Sequence, residues 1–133
     1  MTGLLHALSG AVIGSLFSKR TAAFGAGVVS HAVADIIPHK DAPLAFDLVM
    51  IPTALMLIGR ARGFDSPEFA GALGGICPDF EHAGIVLGIK QDGEGLYPTH
   101  NEVLPHGRGD EFTSQVLIGA ACVAALCLTS SRT

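Results

Sequence analysis

Five apolar segments, 4–18, 21–37, 42–59, 69–89 and 114–130, joined by short polar connectors, take up most of this 133-residue chain. The third and fourth approach the roughly 20 residues that cross a bilayer core, and the other three lie at the lower edge of that range. Composition supports a membrane setting. Apolar residues make up 49% of the chain and charged residues 15%, against about 25% charged in an ordinary soluble domain. Mean hydropathy is +0.48, high for a chain of this size, which has much surface to cover with polar groups. The expected fold is all-α: one domain over 1–133, an integral membrane bundle of about five short helices. A soluble bundle with a core of small residues is the competing reading.

Glycines sit inside the apolar runs rather than in linkers. Gly10 and Gly14, Gly71 and Gly75, and Gly84 and Gly88 are each four apart, a spacing that lets helix backbones approach closely in lipid. Cys77, Cys122 and Cys127 form no CxxC pair, so disulfides are not expected. With a net charge of −4, one Tyr and no basic patch, nucleic-acid binding is excluded as a reading. The first segment has neither a basic stretch before it nor a small-residue cleavage site after it, and reads as a helix of the mature protein. If that helix runs from outside to inside, Lys19, Arg20, Arg60, Arg62 and Arg132 are cytoplasmic and Lys40, Lys90 and Arg108 external. Five against three follows the positive-inside tendency.

Five alternating crossings also sort the polar residues. His6 opens the first helix, His31, Asp35, His39 and Asp41 close the second, and Asp47 opens the third. Asp79, Glu81 and His82 lie late in the fourth, and His100 and His106 in the loop after it. All six histidines therefore come to one face, whichever way the bundle is oriented.

Several local patterns strengthen this cluster. His31 and Asp35, four apart, share one side of a helix. They suit one metal ion, a carboxylate-oriented imidazole, or a plain helix-end ion pair. Pro38 ends the helix, leaving His39 and Asp41 on a turn able to fold back over that pair. In Gly74-Gly75-Ile76-Cys77-Pro78-Asp79-Phe80-Glu81-His82, two acids and a His stand inside an apolar segment. Ionisable groups there are costly unless paired or hydrated and are functional candidates by default, though a metal-free polar network also fits. Pro78 and the paired glycines can break the helix, which membranes tolerate where the break lines a cavity. Asp79 and His82, three apart, share a face; Glu81 points elsewhere, as a ligand, a supporting group or a base. Asp47 either completes the cluster or caps the third helix. His100 and His106, with Asn101 and Glu102 nearby, are ligands or solvated loop residues.

The donor set is imidazole and carboxylate without thiolate pairs. It suits Zn²⁺ first, with Mn²⁺ or Fe²⁺ as alternatives. The number of candidates fits one to three ions. Such sites activate water and clamp a phosphoryl or acyl oxygen.

The motifs together resemble those of the membrane-bound metal-dependent hydrolases, a group of small inner-membrane proteins. The matching residues are Leu4-Leu5-His6-Ala7 with its following Gly-rich helix, Ser30-His31-Ala32-Val33-Ala34-Asp35, Pro38-His39-Lys40-Asp41, and Cys77-Pro78-Asp79-Phe80-Glu81-His82. The last is similar to that family's L-P-D-x-D-H box, with Glu81 where Asp is usual. Thr99-His100-Asn101 and Pro105-His106 resemble its later histidine-bearing loop, although the order of motifs differs. A more distant likeness is to the helical zinc-dependent phospholipases C. The resemblance implies a helical membrane fold and metal-assisted hydrolysis.

On this reading His6, His31, Asp35, His39, Asp79, His82, His100 and His106 hold metal, and Asp41 or Glu81 acts as base. The substrate is a phosphoester or another lipid-accessible ester at the surface of a prokaryotic inner membrane, with the cluster on the non-cytoplasmic face and membrane lipid as a partner. The alternatives are a metal transporter or sensor without hydrolysis, and a scaffold whose polar cluster only ties helices together.

Overall fold

Caps and prolines set where each helix begins and ends. The computed structural model describes residues 1–89, 96–99, 103, 104, 107, 109 and 112–130, apart from the side chains at 82, 85, 86 and 130. Helix α1 (Gly3–Gly14) starts after Thr2, whose hydroxyl accepts from the Leu5 N–H at 3.4 Å. Helix α2 (Arg20–Ile36) stops at Ile37, which turns extended because Pro38 disfavours a helical residue before it. Helix α3 (Leu44–Arg62) ends at Gly63, where φ is +95°, a conformation open to glycine at little cost. Helix α4 (Pro67–Val86) places Pro67 first, and Ser66 Oγ accepts from the Phe69 N–H at 3.0 Å. Beyond its last turn Gly88 has φ +71°, and the Ile89 N–H donates to the Gly84 carbonyl at 2.9 Å, a left-handed C-cap. Helix α5 is Thr113–Ser130.

The described chain is thus all-helical, with five helices. Each of the five apolar segments became one of them. Two expectations need correction. Helix α4 runs unbroken through Pro78. The proline has no N–H to offer the Gly74 carbonyl, but the packing of α4 against α1 and α2 holds the helix together across the gap. The Gly84–Gly88 pair packs against no other backbone among the described residues and instead ends its own helix.

Helix α1 lies at the centre, against α2, α3, α4 and α5; α4 is the second hub, against α1, α2 and α3. The approach is close because glycines meet. A Cβ on Gly10 would stand 2.3 Å from the Gly71 carbonyl oxygen, and one on Gly14 would stand 2.5 Å from that of Pro67. Gly27 of α2 meets the same Gly71 oxygen at 2.2 Å. Ala7, Ala11, Ala54, Ile58, Ala72 and Ile76 fill the remaining apolar core. At one end, Arg20 pairs with Asp65, and Arg62 lies 3.9 Å from Glu68 and donates to Thr129 Oγ1 at 2.9 Å.

Much apolar surface faces outward. Val29 and Val33 on α2, Leu48, Val49, Met56 and Leu57 on α3, and Val116, Leu117 and Leu128 on α5 are all exposed. Among the described residues α3 is the one helix long and apolar enough to cross a membrane. The fourth segment, expected to qualify too, does not: its acids lower the apolarity of α4.

Candidate metal centre

The glycine seam determines which side chains meet. A Cβ on Gly75 would lie 2.2 Å from the His6 carbonyl oxygen, so α4 passes against α1 at the level of His6. Gly27, one turn before His31, does the same for α2. His6, His31 and Asp79 are thereby brought from three helices to one point, and one ligand atom of each lies within 4.8 Å of the others. Among the described residues, the five largest fully buried side chains are Ile76, His6, His31, His39 and Asp35. Four of them are ionisable, so this end of the core is polar.

Asp35 joins the two imidazoles. Its Oδ1 is 3.1 Å from His6 Nε2 and its Oδ2 is 3.1 Å from His31 Nε2. The two rings stack with centroids 3.7 Å apart and planes at 19°. His31 Nδ1 lies 2.7 Å from the Gly75 carbonyl. A carbonyl can only accept, so Nδ1 carries the proton and Nε2 is the nitrogen turned toward the carboxylates. That atom is 3.9 Å from Asp79 Oδ1. Thr99 donates from Oγ1 to Asp35 Oδ2 at 2.8 Å, and the edge of Tyr97 meets the His31 ring, with centroids 5.1 Å apart.

A second group adjoins the first. His39 Nδ1 donates to the Ile37 carbonyl at 2.7 Å, and its Nε2 is 2.9 Å from Asp41 Oδ1. The Met1 amine contacts His39 Nε2, Asp41 Oδ1 at 3.2 Å and Asp35 Oδ1 at 3.4 Å. The turn after α2 therefore folds back beside Asp35, as its proline and spacing suggested. The Gly107 and Gly109 backbones clasp it: the His39 N–H donates to Gly107 O and the Gly109 N–H to His39 O, both at 2.9 Å.

The remaining expected residues are placed as follows. Asp47 accepts from the Gly3 N–H at 3.0 Å, capping α1 rather than its own helix. Glu81 accepts from the Leu96 and Tyr97 N–H groups at 2.8 and 2.9 Å, tying the following loop to α4. Cys77 is exposed. His82 is a residue of α4, but its side chain, like His100 and His106, lies outside the described residues. Tyr97 and the Met1 amine were not singled out from the sequence; nothing in their local patterns marks them. Thr99 stood in the family-like loop motif, though without a role.

Both ring nitrogens of His6 and Oδ2 of Asp79 are buried without a hydrogen-bond partner among the described residues. The 3.1 Å approach of His6 Nε2 to Asp35 is within ion-pair reach but does not meet hydrogen-bond geometry. Buried polar atoms left so are uncommon in native proteins, and an ion is one of the few explanations. The donors are imidazole nitrogen and carboxylate oxygen, which fit a divalent transition metal. Comparison with protein-family models, curated proteins and solved structures yields no match.

Proposed function

We propose that this chain is a membrane-embedded, metal-dependent hydrolase acting on a phosphoester or carboxylic ester at the bilayer surface. One observation carries the reading: donors from His6, His31 and Asp79 converge within 4.8 Å, with buried atoms of His6 and Asp79 lacking hydrogen-bond partners among the described residues. Three protein donors is the number that catalytic zinc sites use, whereas closed structural sites use four. A divalent ion there would supply Lewis acidity toward a substrate oxygen.

The chain's own residues divide the remaining work. Asp35, between the two imidazoles and bonded by Thr99, holds both rings in register. Asp41, whose carboxylate is exposed and 2.9 Å from His39 Nε2, is the general base. Glu81 positions the loop that carries Tyr97 and Thr99 to the centre. The outward apolar faces of α2, α3 and α5 support a lipid setting, since soluble monomers rarely expose large contiguous apolar patches. The arginines and Lys19 at the far end support a cytoplasmic location for that face and a non-cytoplasmic one for the centre.

The test is elemental analysis of purified full-length protein beside His6→Ala, His31→Ala and Asp79→Ala, followed by a phosphoester and ester screen of the metal-loaded form. Stoichiometric zinc, manganese or iron in the wild type, lost in all three variants, with turnover that a chelator abolishes, is the expected result. A wild type that takes up no metal at neutral pH would discard the centre. Metal without turnover on the whole panel would leave a metal-binding membrane protein.

A further inference from the structure

Between α3 and α4 runs a groove with a cavity of about 380 Å³. Its walls include Leu48, Ile51 and Leu55 from α3 and Ile76 from α4, and two carboxylates, Asp47 and Asp79, stand part-way along it. Asp79 is also a member of the metal-binding trio. One residue therefore belongs to both the apolar groove and the centre.

The shape limits what the groove can take. From Asp47 to Leu55 is eight residues of helix, about 12 Å at 1.5 Å per residue. A helix of a partner protein, about 10–12 Å across with its side chains, is too broad for a cavity of this volume. Ile76 forms a floor that is 1% exposed, whereas Leu48 and Phe80 at the rim are 67% and 70% exposed. The rim continues into the outward apolar face of α3, where Val49, Met56 and Leu57 are exposed. A flexible apolar chain entering from the hydrocarbon side meets no polar barrier until it reaches the two carboxylates. Those repel an anionic group by themselves and accept a polar linkage only beside a cation, which is what the adjoining donors are suited to hold.

We infer that this groove holds a single acyl chain of an amphiphilic substrate, its tail along Leu48, Ile51 and Leu55 and its ester or phosphoester linkage beside Asp47 and Asp79. The inference names the substrate class of the proposed hydrolase and rests on that reading for the chemistry at the polar end. The tail site stands on the groove alone.

The experiment uses full-length protein in lipid nanodiscs with a trace of lysophosphatidylcholine carrying a diazirine along its acyl chain. After photolysis, labelled positions are mapped by mass spectrometry, and metal content is measured in the same preparation. The expected result is labelling of Leu48, Ile51, Leu55 and Ile76 severalfold above Val49 and Leu57, competed by unlabelled lysophosphatidylcholine and lost in Ala83→Trp, which fills the groove. Labelling spread evenly over groove and outward residues, or not competed, overturns the inference, and the wild-type map alone decides this if Ala83→Trp fails to fold. His31→Ala separates the two claims. If it loses metal yet labels as the wild type does, the tail site stands by itself. If the wild type carries no metal but still labels the groove, the hydrolase reading fails and the tail site stands.

Discussion

Asp35 concentrates the polar contacts of the centre: two imidazoles lie 3.1 Å from its oxygens, and the Thr99 hydroxyl at 2.8 Å and the Met1 amine at 3.4 Å donate to it. Groups that orient metal ligands typically change affinity by about 10–100-fold when removed. Thr99→Val should weaken metal affinity by about that factor while leaving the stoichiometry at saturation unchanged, as measured by competition with a chromogenic chelator. An unchanged affinity would show that Asp35 is held well enough without the hydroxyl. Glu81 predicts differently. Its carboxylate receives two backbone N–H groups, and hydrogen bonds to a charged group contribute about 1.5–3 kcal/mol each. Glu81→Gln should retain metal and speed hydrogen exchange at Leu96 and Tyr97. Loss of turnover with exchange unaltered would return Glu81 to the role of base. Some of this was legible in the sequence. His31 and Asp35 follow from helical spacing alone, and His6 and Asp79 from counting crossings. Thr99 and Tyr97 could not be so placed, because they approach residues on α2 more than sixty positions away, and no local period encodes such a contact.

At the level of elements, the glycine seam is the feature on which the centre depends. Cβ atoms on Gly10 and Gly71 would stand 2.3 and 2.2 Å from facing backbone oxygens. Backbone cannot rotate away as a side chain can, so α1 and α4 must separate. Overpacking of this kind costs about 1–3 kcal/mol and sometimes more. Gly10→Ala and Gly71→Ala should each lower thermal stability in detergent and reduce metal retention together, since the same seam positions His6 against Asp79. Gly84→Ala is the control. Among the described residues nothing lies within 4 Å of its Cβ, and alanine is the better helix former by about 1 kcal/mol, so this variant should be neutral or slightly stabilising. The spacing of glycines in the sequence could not separate these cases. Four-residue pairs mark a close seam at Gly10–Gly14 and Gly71–Gly75 but a C-cap at Gly84–Gly88, and only the neighbouring helix distinguishes them. Helix positions were more legible, because the apolar runs mark them and Pro38 ends the second; the exact bounds at Gly63 and Ser66-Pro67 come from the structure. Pro78 misled for the opposite reason: a local breaker was overridden by packing on two sides.

For the whole molecule, the arrangement is inverted relative to a soluble globule. Polar, ionisable side chains dominate the deepest part of one end, while large apolar side chains line the outside of α2, α3 and α5. The central helix α1 has 12 residues, about 18 Å of length, less than a bilayer core of about 30 Å. Four helices pack around it, so in the proposed membrane setting the outer helices would carry the lipid contact. Among the described residues α3 is the one with both the length and the apolarity of a crossing, and the bilayer reading can be tested there. Met56 lies near the middle of α3 and is 48% exposed. In water, a lysine at such a position would change stability by no more than about 0.5 kcal/mol and would favour solubility. Facing hydrocarbon near the centre of a helix, it would cost about 2.5–3.5 kcal/mol. Met56→Lys should therefore cut the yield of folded protein in the membrane fraction sharply, while Arg60→Lys at the helix end leaves it unchanged. Wild-type protein should remain with the membrane through alkaline carbonate extraction. A Met56→Lys variant that expressed in the soluble fraction with wild-type thermal stability would place α3 in water, and the apolar faces would then have to be covered by further copies of the chain.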